Sequence, residues 1–166
     1  DVAARTAIAA ARSEFMRLPA FSPDTLRRCM ISADQAVRGR QLEETRLARM
    51  ASTFVAFLVD YRLRHALIGN LGDSRCYVFR KESVVAQSYD HSLVQRFIDA
   101  GLYPAEKLRV HPKRNVLYAS LGANEEAIGI LPLDPRTVHH RAAAPADRVV
   151  VDDRNMRHVE LILDDT

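Results

Sequence analysis

The chain has 166 residues, 48% hydrophobic and 27% charged, with 6 Gly and 7 Pro; this balance excludes a disordered, collagenous or low-complexity protein and fits a single globular domain over residues 1–166. Its net charge of +3 is spread without any block of five or six basic residues, so it makes no case for nucleic acid. No apolar run nears the roughly 18 residues needed to cross a bilayer, the longest being Phe54 to Val59, so no membrane partner is expected.

Ile8, Ala11, Phe15 and Leu18 recur at three- and four-residue steps, which predicts a helix from near Val2 that Pro19 ends. Ser22-Pro23-Asp24 then reads as a helix start: a capping hydroxyl, a proline where its missing N–H costs nothing, and an acid at the positive helix end. Leu26, Met30, Ala33 and Val37 form the buried stripe of this second helix, and Gly39 is its expected stop. Arg40 to Arg49, charged and without period, reads as an exposed connection.

From Ser52 to Val59 both alternating sets are apolar, as in a strand covered on its two faces. Asp60-Tyr61-Arg62 interrupts it and Leu63 to Ile68 resumes, predicting a hairpin; Cys76 to Phe79 and Ser83 to Ala86 predict a second. Helical spacing returns over Ser92 to Ala100, closed by Gly101. Val116 to Leu121 fits strand or helix, and Leu131 to Pro135 is punctuated by prolines. Arg148 to Val151 and His158 to Leu163 are β-rich. Helices followed by meandering strands with short turns predict an α+β domain with antiparallel pairing.

Gly72-Asp73-Ser74-Arg75 has the chemistry of a tight turn between strands, and lacks the glycines of a phosphate-binding loop. In Tyr89-Asp90-His91-Ser92 either Ser92 or Asp90 caps the following helix, or Asp90 is a hard-oxygen ligand for Mg²⁺ or Mn²⁺ with His91 as a neighbouring general acid. Lys113 and Arg114 are either solvated loop charges or phosphate contacts. Adjacent His139 and His140 would point to opposite faces of a strand, which does not suit one metal; Asp152-Asp153 is the remaining acidic pair. Cys29 and Cys76 lack zinc-site spacing and a disulfide framework, so a reducing, cytoplasmic setting is expected. With no GxSxG elbow and no HExxH, metal-held water is the hydrolytic chemistry that remains.

Taken in order, Leu67-Ile68-Gly69-Asn70-Leu71-Gly72-Asp73-Ser74-Arg75-Cys76-Tyr77, Asp90-His91-Ser92-Leu93-Val94, His111-Pro112-Lys113-Arg114-Asn115-Val116-Leu117 and Leu121-Gly122 resemble the bacterial metal-dependent protein phosphatases of the protein phosphatase 2C class. The resemblance implies a four-layer αββα sandwich, two antiparallel sheets flanked by helices. It also implies hydrolysis of phosphoserine and phosphothreonine in a phosphorylated protein, by water held on Mn²⁺ or Mg²⁺. Asp90 matches the family position tied to a third metal, and Asp153 or Asp152 matches its last ligand Asp. Gly72, Asp73 and Arg75 match a structural signature.

Departures bear on activity. The family's acidic Gly-rich loop would precede the helix at Val2, and the chain starts at Asp1, so it is expected to begin inside a longer protein and to lack that loop. Val151 runs into Asp152-Asp153-Arg154-Asn155 where the family has Ser-Asp-Gly and further helices, and Arg49 and Ala51 replace two family glycines. Two readings follow: a working phosphatase whose other ligands lie outside these residues, which alone are expected to be nearly inactive, or a pseudophosphatase acting as a regulatory module. In the second, a protein partner would dock on the Arg40 to Arg49 connection, through Arg46 and Arg49.

Overall fold

A computed structural model describes residues 2–60, 62, 65–80, 83–123, 129–133, 147–152 and 158–163. Helices α1 (Val2–Arg17) and α2 (Pro23–Glu43) pack against each other. Ser22 caps α2 as its sequence predicts, its Oγ accepting the Thr25 N–H at 3.1 Å. Gly39 does not stop the helix, which runs to Glu43 and ends only where Glu44 turns extended (φ −130°, ψ 111°). The last turn is held locally by the pair of Arg40 with Glu44, and from outside by the Gln41 amide, which donates to the carbonyls of Met50 and Gly122 at 2.7 and 3.0 Å. Those tertiary bonds offset the roughly 1 kcal/mol that a glycine costs within a helix. Arg40 to Arg49 is therefore a helix end and a short 3-10 turn (Thr45–Leu47) rather than an open connection.

Two antiparallel sheets follow. Strands β1 (Phe54–Asp60) and β2 (His65–Leu71) form the predicted hairpin, and β5 (Gly129–Leu133) pairs with the other side of β2. The second sheet has the order β4-β3-β6-β7, from β3 (Arg75–Arg80), β4 (Ser83–Gln87), β6 (Asp147–Asp152) and β7 (His158–Leu163). The proline-punctuated stretch is thus a strand in part: Pro132 lies opposite Leu67 in β5, at a sheet edge, where a residue without an N–H is tolerated. Val116 to Leu121 is neither strand nor helix; it makes two isolated bridges, Leu117 to Ser92 and Leu121 to Ser52.

The period-two pattern of β1 explains the layering. Phe54, Ala56 and Leu58 pack with the α2 stripe of Leu26, Met30, Ala33 and Val37, whereas Val55 and Phe57 pack with Ile68, Cys76 and Val78 between the sheets. The architecture is an α+β sandwich with α1 and α2 over the first sheet. Helix α3 (Leu93–Asp99), capped by Ser92, packs chiefly on a 3-10 segment, Ala105–Val110. At Gly69 of β2 the α2 side chains come so near that a Cβ would lie 2.6 Å from Met30 Sδ and 3.1 Å from Leu26.

The link from β2 to β3 carries the chain from one sheet to the other. Gly72 takes φ +108° there, and its N–H donates to His91 Nδ1 at 3.1 Å while its carbonyl accepts the His91 N–H at 3.0 Å. The His91 carbonyl in turn accepts the Tyr118 N–H at 3.0 Å. The His91 ring stands edge-on to Tyr89 and Tyr118, each with centroids 5.5 Å away. Burial holds this imidazole below its ordinary 6.5, against the opposing pull of the Gly72 carbonyl and the Asp90 charge.

Two outcomes follow for stability. Gly69→Val should lower the unfolding free energy by about 1–3 kcal/mol, measured in urea, because the buried Met30 and Leu26 have little room to yield. The unfolded chain binds a proton at His91 more readily than the folded one. Stability should therefore be complete above pH 6.5 and fall as the pH drops below it, and His91→Gln should flatten that slope in melts taken between about pH 7.5 and 5.5.

Candidate functional site

Asp90, His91 and Ser92 leave β4 and open α3, and the β2–β3 turn is bound to them side by side. Asn70 donates its amide to the Tyr89 carbonyl, the Cys76 N–H donates to Ser88 Oγ at 2.8 Å, and the hydroxyls of Thr53 and Ser74 lie 2.7 Å apart. Asn70, Ser74, Ser88, Asp90, His91 and Ser92 are all buried, so these bonds satisfy groups that water cannot reach.

Asp90 stands at the centre of this junction with a side chain 1% exposed. Its Oδ1 accepts the Ser92 N–H at 2.7 Å, and its Oδ2 accepts Arg75 Nε at 3.1 Å and Nη2 at 2.5 Å. Burial opposes the Arg75 charge, but hydrogen bonds to Tyr77 and Asp90, together with the Asp90 charge, outweigh it and leave the guanidinium above its ordinary range. Arg75 is also the residue that faces Asp152 across the β3–β6 ladder. The strand register therefore brings Asp152 to the end of the sandwich where Arg75 holds Asp90. Asp153 lies outside the described residues, as do His139 and His140.

The chemistry of Asp90 suits a hard cation, but the described residues do not by themselves fit a two-ion centre. Both carboxylate oxygens of Asp90 are engaged, and among the described residues no three His, Cys, Asp or Glu side chains converge as a metal site. His91 faces Gly72 and two tyrosine rings. Lys113 and Arg114 sit in the exposed turn after His111, whose Nδ1 accepts the Lys113 N–H at 3.0 Å. Arg46 is exposed and bonded to Glu44 at 2.7 Å. Cys76 offers no nucleophile: burial pushes its thiol up to about 11. Among the described residues no helix is long and apolar enough to cross a membrane.

The pairing of Arg75 with Asp90 is the feature that sequence reasoning passed over. Fifteen residues separate the partners, both in turn-forming segments, and no local periodicity links them.

No family model matches the chain. Two curated relatives share part of it: protein phosphatase PhpP of Streptococcus pneumoniae, 34% identical over 61 residues, 37% of this chain and 25% of that protein, and a serine/threonine phosphatase Stp of Listeria welshimeri, 33% identical over 79 residues, 48% of this chain and 31% of that protein. The matches thus span about a quarter to a third of those relatives. The solved structure of the Mycobacterium tuberculosis serine/threonine phosphatase PstP superposes with a TM-score of 0.71 at 23% identity, over 90% of this chain and 60% of that one. A second structure, of the PstP catalytic domain with two manganese ions, superposes at 0.69 and 22% identity, over 90% of this chain and 59% of that one. The chain thus shares sequence with bacterial serine/threonine phosphatases over as much as 48% of its length and their fold over 90% of it.

Proposed function

We propose that the chain is the frame of a serine/threonine protein phosphatase domain, dependent on Mn²⁺ or Mg²⁺ and acting in the cytoplasm on phosphorylated protein. The observation that supports it most is the junction itself: the Gly72–Arg75 turn, the Asp90–Ser92 helix start and the β6 terminus at Asp152 meet at one end of a two-sheet sandwich. The two cysteines are free and buried, which fits the reducing compartment.

In enzymes of this kind divalent ions supply an activated water and neutralise charge on the phosphoryl oxygens. From this chain, Asp90, Asp152 and Asp153 are the acids proposed for that role. The chain's own contribution is to hold Asp90 at a fixed depth, through the Ser92 N–H and Arg75, and to keep the turn behind it rigid through His91. These acids are too few to grip two ions. The segment between Val151 and His158 is short, and the acidic Gly-rich loop of the family would stand before α1.

The test is phosphate release from a phosphothreonine peptide with Mn²⁺, with and without chelator. Residues 1–166 alone should give little or no chelator-sensitive turnover. Joining an acidic Gly-rich loop ahead of Val2 and a Ser-Asp-Gly segment after Val151 should raise it at least tenfold. Full turnover by the 166 residues would contradict the shortage of ligands, and no gain from the completed chain would contradict the phosphatase reading.

A further inference from the structure

We propose that the outward face of α1 is a docking surface for an acidic amphipathic helix of a partner protein. The inference goes beyond the phosphatase reading and does not depend on it.

Helix α1 leaves much of its apolar surface unused by the fold. Its three- and four-residue spacing sets Ile8 with Ala11, Phe15 and Leu18, as in a stripe meant for burial. The residues that α1 buries are instead Ala3 and Ala7, while Ile8 is 61% exposed and Leu18 54%. Among the described residues α1 packs chiefly on α2, and the bonds between the two lie on one side of it: Ser32 Oγ donates to the Ala10 carbonyl at 3.4 Å, and Arg28 pairs with Glu14 at 3.2 Å. The far side carries Val2, Arg5, Ile8, Arg12 and Met16, spaced by three or four residues and so aligned along one face. All five are exposed, Met16 by 67%.

Charge identifies the occupant. Arg5 and Arg12 pair with no acid among the described residues, whereas Arg17 is bonded to Glu14, and Arg40 and Arg46 to Glu44. Glu14 is the one acid of α1, and Arg17 and Arg28 already engage it. A second copy offering the same face would set arginine against arginine, which disfavours self-association. In an anionic bilayer, basic residues flank an unbroken apolar strip that enters the acyl boundary; here they alternate with the apolar residues along the helix axis. A facing helix with carboxylates fits that alternation. Arg5 and Arg12 are seven residues apart, about 10.5 Å along the axis, the same interval as two Glu or Asp at i and i+7 of the partner. Apolar residues between those acids would cover Ile8 and Met16, and each guanidinium would grip a carboxylate through two N–H groups.

The test is binding of a helix-stapled peptide, with two Glu seven positions apart and Leu between them, to the 166-residue chain, followed by fluorescence anisotropy and amide NMR shifts. The wild type should bind it with shifts centred on residues 2–16. Affinity should fall about tenfold in Arg5→Glu/Arg12→Glu and by a similar factor in Ile8→Ser/Met16→Ser. A peptide with Lys in place of Glu should be refused by the wild type and bound by Arg5→Glu/Arg12→Glu. Failure of the Glu peptide to bind, affinity that both variants retain, or shifts centred elsewhere would overturn the proposal. So would co-sedimentation with phosphatidylserine vesicles that Arg5→Glu/Arg12→Glu abolishes, which would assign the face to a membrane. A dimer in solution that Ile8→Ser/Met16→Ser dissolves would overturn it equally, in favour of a second copy. All four side chains are exposed, so both variants should melt with the wild type; should either fail to fold, the wild-type shifts and the refusal of the Lys peptide decide. None of these readouts uses phosphate release, so the two readings fail separately.

Discussion

A carboxylate held almost wholly out of water needs a cation or a set of N–H donors, and Asp90 has both. Arg75 contributes the charge and the Ser92 N–H the directed bond. Removing either member of such a buried pair leaves an uncompensated charge, a loss of about 3–5 kcal/mol. Much of the junction is arranged around that constraint. Arg75 starts β3 and Asp90 precedes α3, so their ion pair ties a strand in the second sheet to the helix that follows β4. His91, next in sequence, ties the same helix start to Gly72 and hence to the strand arriving from the first sheet.

The junction thereby connects the sheets at their ends, whereas apolar packing connects them through their faces. Ile68, Cys76 and Val78 fill the layer between the sheets, and the α2 stripe covers the other face of β1 and β2. Such packing fixes how far apart the layers stand, but it has little power to fix how strand ends lie relative to one another. Directed bonds among Gly72, Asp90, His91 and Ser92 do that, at the place where the β3–β6 register puts Asp152. The described acid at the junction is matched to an arginine.

Helices and hairpins were legible because their signals are local. The stripe Leu26, Met30, Ala33 and Val37, the Ser22 cap and β1 with both faces apolar stand as the sequence predicts, and of the two candidate caps of α3 the structure uses Ser92. Gly39 misled because its cost is overridden by Gln41, whose partners, Met50 and Gly122, are set by tertiary structure. Pro132 misled because a proline says nothing of whether its strand lies at an edge. Asp90 was legible as a chemically loaded position, from its place before a helix start. Its partner was not, since an ion pair across two turns leaves no spacing in the sequence.

The most direct test of the central role given to this ion pair is a double-mutant cycle in urea unfolding, with Arg75→Gln, Asp90→Asn and the double variant. If the pair organises the junction, the two changes will be strongly non-additive, with an interaction energy of about 1.5–3 kcal/mol. Additivity within about 0.5 kcal/mol would mean that the two side chains stabilise the fold independently, and would contradict the account.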